Sequence, residues 1–288
     1  MELGVVMRTV FREALACPRC RAAVTEVGAE LRCTGCESSY PVDGGVPILL
    51  TEPAKLPSAG RKVQVEQPAW MKVAKSLLAV PSPTLENQAL RGQMPKFLAS
   101  FPQDAFLANV GSASLTYGDR IVNVDLLPGP GVEVVGDATR LPFLDNSLDG
   151  VISRRVLEHV RKPGLAVAEM HRVLRPGGRV WCEIPFLQGY HPTPTDYQRY
   201  TVDGLADLFD QFEVVELGVA LGPSSTLSWI LREYCSILFA FGNPYLYKIN
   251  ERIFSWLTLP VKYLDLITAR SPFATQIASS FYIVARKT

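Results

Sequence analysis

FLANVGSASLTYGDRIVNVD, residues 106–125, sets two short apolar runs on either side of a loop of small residues. Phe106 to Val110 reads as one strand and Arg120 to Val124 as the next. Gly111-Ser112-Ala113 lets a ligand approach the backbone, and Asp125 ends the second strand with a carboxylate able to accept hydrogen bonds from a diol. Further strands follow at Gly131 to Val135, Leu148 to Ser153, Arg179 to Ile184, Phe212 to Leu217 and Phe281 to Ala285. Apolar residues at Val167, Met170, Val173 and Leu174 have helical spacing, which predicts a helix over Gly164 to Leu174 that stops at Arg175-Pro176-Gly177-Gly178. A second helix is predicted over Val202 to Phe209, opened by Thr201 as N-cap. Strands alternating with helices imply a mostly parallel sheet covered on both faces.

The 288 residues suffice for one large domain and a small one. The expected division is 1–50, then a linker with a helix over 51–84, then an α/β domain over 85–288 that carries an apolar insertion at 219–279. Helices are expected over Trp70 to Val80 and Leu85 to Ser100, the latter bent by Pro95. A net charge of +1 gives no electrostatic case for nucleic acid. Charged residues interrupt the first apolar stretch, so the start does not read as a signal peptide, and an intracellular, cytoplasmic chain is expected. No uncharged apolar run is long enough to span a bilayer.

Cys17-Pro18-Arg19-Cys20 and Cys33-Thr34-Gly35-Cys36 form two knuckles. Four thiolates converging at about 2.3 Å suit tetrahedral zinc. With every position filled by Cys, none is left for substrate, so the site reads as structural. Redox knuckles or a rubredoxin-like iron share the same ligands and remain open. Cys182 and Cys235 lie in apolar contexts and read as inert core thiols. The segment LACPRC, LRCTGC and SSYPVDGGVPILL, roughly residues 13–50, resembles the small zinc-ribbon proteins that bind and activate methyltransferases. Those are usually separate chains, whereas here the module is fused.

The series from the Gly111 loop through Asp125, Gly136-Asp137-Ala138, Leu141-Pro142-Phe143, Asp149, Leu157-Glu158-His159-Val160 and Leu174-Arg175-Pro176-Gly177-Gly178 resembles class I S-adenosylmethionine-dependent methyltransferases over about residues 106–186. That resemblance implies a Rossmann-like, seven-stranded sheet and S-adenosylmethionine as cofactor. It places Gly111 and Ser112 under the methionine end, Asp125 on the ribose, Asp137 and Ala138 at the adenine, and Arg154 with Leu157 to His159 along the cleft. Two departures stand out. The loop reads Asn109-Val110-Gly111-Ser112-Ala113-Ser114, with Asn where the family has an acid and with one glycine, and too few residues follow it for the usual first helix.

His159 and His191 are the candidates for proton handling, because imidazole titrates near neutrality; His171 reads as a surface or capping residue. His191, Asp196 and Arg199 lie in an aromatic loop able to cover the cleft, or Asp196 simply pairs with Arg199. The acceptor expected is a small or lipid-like molecule, methylated at oxygen. The insertion could cover substrate, form a dimer surface or touch a membrane, with burial as the default. The competing readings are a non-catalytic scaffold that docks a partner and an RNA methyltransferase. Cofactor binding discriminates against the first and salt-dependent RNA binding tests the second.

Overall fold

The computed structural model describes residues 9–52, 88–118, 120–192 and 195–288. The helix expected over Trp70 to Val80 and nearly all of the linker lie outside them. After a short helix, α1 (Thr9–Arg12), come four antiparallel strands: β1 (Val24–Val27), β2 (Glu30–Cys33), β3 (Ser39–Asp43) and β4 (Val46–Leu49). Helix α2 (Gln88–Ala99), with Pro95 inside it, precedes β5 (Leu107–Val110), β6 (Ile121–Asp125), β7 (Val134–Gly136) and β8 (Leu148–Arg154). Then come α3 (Pro163–Val173), β9 (Leu174–Pro185), α4 (Val202–Leu208), β10 (Glu213–Leu221) and β11 (Ser280–Arg286). Thr201 caps α4 as expected, accepting from Gly204 N. Arg175-Pro176-Gly177-Gly178 ends α3 but lies inside β9, where Gly177 takes a left-handed φ of +80°.

Seven strands run in the order β7-β6-β5-β8-β9-β11-β10, parallel from β7 to β9 and antiparallel beyond. β5, β6 and β7 are almost wholly buried, as a parallel sheet covered on both faces requires. No helix joins β5 to β6 among the described residues. Buried Asn109 spans the short loop instead, donating to Leu115 O at 2.9 Å and to Asn123 Oδ1 at 3.1 Å.

The four-cysteine module, which precedes the α/β domain in sequence, is part of the same sheet. β4 pairs in parallel with β7, Ile48 opposite Val135 and Leu49 opposite Gly136, so the sheet extends to eleven strands among the described residues. Phe11, Leu15, Leu31, Tyr40 and Leu49 share one buried cluster with Phe106, Val134 and Phe143. The module thus covers an edge that would otherwise stand open.

Between β10 and β11 lie α5 (Pro223–Leu238), α6 (Pro244–Leu257), α7 (Leu259–Tyr263) and α8 (Asp265–Thr268). Burial of their apolar side chains was the expectation, and the structure reverses it. Ser224, Ser228, Arg232 and Ser236, spaced four apart along α5, face inward. Phe241, Ile267, Phe273, Ile237 and Leu257 are 64–83% exposed. The inner contacts are polar because the N-terminus of α5 closes on one carboxylate. Asp265 is 2% exposed and accepts from Ser224 N, Ser225 N, Ser225 Oγ and Thr268 Oγ1 at 2.6–2.9 Å. Gly222 permits that approach, since a Cβ there would overlap the carboxylate. Asp265→Ala leaves two buried N–H groups unpaired and should cost roughly 2–4 kcal/mol in denaturant unfolding, with Asp265→Asn costing less because its amide oxygen still accepts. Equal midpoints for Asp265→Ala and the parent would contradict this account of the cap.

Candidate active site

In an open parallel sheet the crevice lies beyond the strand C-termini where strand order reverses. Here that is between β5 and β8. Gly111 follows β5 with φ +71°, and a Cβ on it would overlap Val156 Cγ2 and stand 3.0 Å from Cγ1. The turn therefore needs glycine for both conformation and space. Gly111 N and Ser112 N both donate to Val124 O, at 2.8 and 3.1 Å. Asp125, at the end of β6, accepts from Ala113 N at 2.8 Å and from Leu127 N at 3.1 Å, so its carboxylate also fastens the Gly111 loop. Asp137 Oδ1 accepts from the amide and the hydroxyl of Thr139, both at 2.8 Å, in an Asx turn after β7 with Ala138 between them.

Arg154 ends β8. Its Nε donates to Glu183 Oε2 at 3.0 Å and its NH1 to Tyr117 OH at 3.1 Å. Glu183 is 1% exposed and also faces Arg155 Nε at 3.4 Å and Ser280 Oγ at 3.2 Å. Tyr117 and Glu183 were missed in the sequence. The signal available for Glu183 was an acid within the apolar run Val180 to Ile184.

His159 closes a short 3-10 turn, Leu157–His159, after β8. The loop of His191 folds onto that turn. Gln198 Nε2 donates to Leu157 O and Val160 O at 2.8 and 2.7 Å, Tyr197 N to Glu158 O at 2.8 Å, and Thr195 Oγ1 to His159 O at 3.0 Å. Asp196 pairs with Arg199 and also accepts from His191 N at 2.9 Å, so the pair positions His191. Burial works against charging Asp196, but Arg199 and the His191 amide outweigh it and hold the carboxyl below its usual range. The two histidine rings meet edge to face, centroids 5.6 Å apart. Burial disfavours charge on His191, yet the Glu158 carboxylate and the Gly189 carbonyl prevail and raise its pKa. Trp229 of α5 packs against Gly189 and lies 5.7 Å from the His191 ring, so the apolar cap touches the cleft. His171 is elsewhere, on α3, edge-on to Phe212 at 5.0 Å, and its pKa is lowered by burial and by Lys287.

The second cluster is the cysteine site. One Sγ from each of Cys17, Cys20, Cys33 and Cys36 lies within 4.8 Å of the others. Cys17–Cys36 and Cys20–Cys33 are 3.6 and 3.3 Å apart, close to the roughly 3.8 Å edge of a zinc–thiolate tetrahedron. Gly35 N and Cys36 N donate to Cys33 Sγ at 3.3 Å, and a Cβ on Gly35 would stand 2.9 Å from the Cβ of Ala22. The donor set and its backbone cradle fit zinc, held away from the cleft.

A family model described as "Methyltransferase domain" matches residues 108–182. A demethylmenaquinone methyltransferase of Renibacterium salmoninarum is 34% identical over 111 residues, covering 34% of this chain and 47% of that protein. One from Streptomyces avermitilis is 44% identical over 75 residues, 24% of this chain and 30% of that protein. This chain thus spans half or less of the length of these relatives. Among solved structures, the Burkholderia thailandensis 1,6-didemethyltoxoflavin-N1-methyltransferase with bound S-adenosylhomocysteine is 15% identical, covers 76% of this chain and 84% of its own, and has a TM-score of 0.43. What the methyltransferase-domain model matches, residues 108–182, runs from β5 into β9 and includes the loops at the switch point.

Proposed function

We propose that this chain is an S-adenosylmethionine-dependent methyltransferase whose acceptor is a lipid-like molecule met at a membrane surface. The observation that carries the acceptor class is the inverted cap. Its interior is small and polar, with hydroxyls bonded one turn back: Ser236 Oγ to Arg232 O, Ser255 Oγ to Glu251 O, Thr258 Oγ1 to Phe254 O. Its exterior is Phe, Ile and Leu. Small residues inside and apolar ones outside are how helices pack against lipid. No described helix is long and apolar enough to cross a membrane, so the cap would lie in the interface. The demethylmenaquinone relatives are consistent with such an acceptor.

In this reading Gly111 and Ser112 make room for the methionine end of the cofactor, Asp125 receives the ribose hydroxyls, Asp137 and Ala138 border the adenine, and Arg154 lines the cleft. The cofactor supplies an electrophilic methyl group on a sulfonium. The residues align the acceptor oxygen with it and exclude water. The His159–His191 pair would accept the single proton that the acceptor hydroxyl loses. Zinc on the four cysteines is structural. The domain division in this reading is a ribbon over 1–50, a linker and helix over 51–84 and a methyltransferase unit over 85–288 with its insertion at 219–279.

A scaffold without cofactor is the second reading, favoured by one observation: the Gly111 and Ser112 amides are already spent on Val124 O. Calorimetry with S-adenosylhomocysteine separates the two, since a saturable heat supports the enzyme and its absence supports the scaffold. Flotation with phosphatidylglycerol–phosphatidylcholine vesicles tests the surface. The chain should float, and Phe241→Ser with Ile267→Ser should lower partition by a factor of roughly a hundred or more, since burying each side chain is worth about 1.5–3 kcal/mol. A chain that stays in solution as a dimer through this face would overturn the membrane reading.

A further inference from the structure

We propose that Glu158, His159 and His191 form a second metal site, for a divalent transition cation, in the acceptor cleft. One ligand atom from each lies within 4.8 Å of the other two. Glu158 Oε1 stands 3.7 Å from His159 Nε2 and 3.8 Å from His191 Nε2. These gaps exceed the 2.7–3.2 Å of a hydrogen bond. They match two ligands held at about 2.0–2.2 Å from one metal ion at a tetrahedral or wider angle, which sets the ligands roughly 3.4–3.9 Å apart.

Two further observations point the same way. The Glu158 side chain is fully buried, and no hydrogen bond reaches either carboxylate oxygen. A buried carboxylate without a partner costs several kcal/mol, which a cation removes. Both imidazoles are also tethered through the other nitrogen. His159 Nδ1 bonds Thr195 O, and His191 Nδ1 bonds Gly189 O at 2.8 Å. A ring that donates from Nδ1 to a carbonyl presents a bare lone pair at Nε2, which is how metal-binding histidines are oriented. Two imidazoles and a carboxylate favour Zn²⁺, Fe²⁺, Co²⁺ or Mn²⁺ over Mg²⁺ or Ca²⁺. The rings are 19% and 26% exposed at their side chains, so the remaining coordination positions open towards the cleft. With a cation bound, the two histidines would hold it against the acceptor oxygen; its charge would acidify the hydroxyl, whose proton would then leave to solvent water instead of to the imidazoles. That role rests on the methyltransferase reading; the site does not.

The test uses the full chain with its ribbon loaded with zinc, dialysed and then titrated with Co²⁺. The expected result is one further equivalent per chain by elemental analysis. It should show visible ligand-field bands without the near-ultraviolet thiolate charge-transfer band that cobalt on cysteine gives. Glu158→Gln and His191→Ala should each weaken that equivalent a hundredfold or more while the zinc count stays at one. No second equivalent in the wild-type chain overturns the proposal, as does a second equivalent that survives both substitutions or carries the thiolate band. If either variant fails to fold, the wild-type stoichiometry and spectrum decide alone. S-adenosylhomocysteine calorimetry on the same sample reports the methyltransferase reading separately.

Discussion

Cys33→Ser is expected to unfold residues 9–50 and to lower the thermal midpoint of the whole chain, with aggregation on heating. Cys33 is 2% exposed, ends β2 and receives both Gly35 N and Cys36 N. Structural zinc contributes about 10–16 kcal/mol of apparent binding energy in small zinc modules. That is comparable to the 5–15 kcal/mol stability of an entire domain. Few other groups could replace it, because the four strands of the ribbon are four or five residues long and bury at most two residues each. The loss spreads for two reasons. β4 is the partner of β7, so its departure leaves a buried parallel strand with an open edge. Leu15, Leu31 and Leu49 are at most 2% exposed and pack in the same cluster as Phe143 and Val134. Calorimetric melting with proteolysis, on Cys33→Ser and on chelator-treated wild type, checks it. An unchanged midpoint after complete removal of zinc would show that the ribbon is held by packing alone.

The second large effect is expected at Gly111. Gly111→Ala places a side chain at φ +71°, which costs an L-residue about 1–2 kcal/mol. It also drives a Cβ into Val156, whose Cγ1 would be 3.0 Å away and whose Cβ 3.2 Å. Val156 cannot retreat far, since it opens the turn of Leu157–His159 that the His191 loop grips. Together these should destabilise the chain by roughly 3–5 kcal/mol and abolish measurable S-adenosylhomocysteine binding. Val156→Ala on the Gly111→Ala background removes both γ carbons and should restore the steric part but not the conformational part. Binding and stability unchanged in Gly111→Ala would falsify the placement of this loop at the cofactor's methionine end.

Six of the seven α/β strands were legible within a few residues, because each carries a short apolar run bounded by turn residues. Gly111, Asp125 and Asp137 fell at strand C-termini for the same reason. β9 begins five residues earlier than expected, at Leu174, since the Arg175-Pro176-Gly177-Gly178 turn lies inside it. Asn109 was read as a lost acid. Its use became clear only once Leu115 O and Asn123 were seen beside it, holding a loop too short for a helix. Asp196 and Arg199 were ambiguous between pairing and facing substrate. The structure pairs them, with the His191 amide on the same carboxylate.

What the sequence determined alone was what its local spacing encodes: the two cysteine knuckles, the strand–helix alternation and the caps. Three things required tertiary structure. One is the parallel pairing of β4 with β7, which joins Ile48 to Val135 across a long stretch of chain. Another is the convergence of Glu158 and His191, 33 positions apart, on one point. The last is which face of α5 turns inward. A period near four marks the polar stripe Ser224-Ser228-Arg232-Ser236 as readily as the apolar one, and periodicity is blind to which side meets the protein. The Asp265 carboxylate, brought against the α5 N-terminus from 41 residues away, fixes the polar side inward and leaves the apolar side facing out.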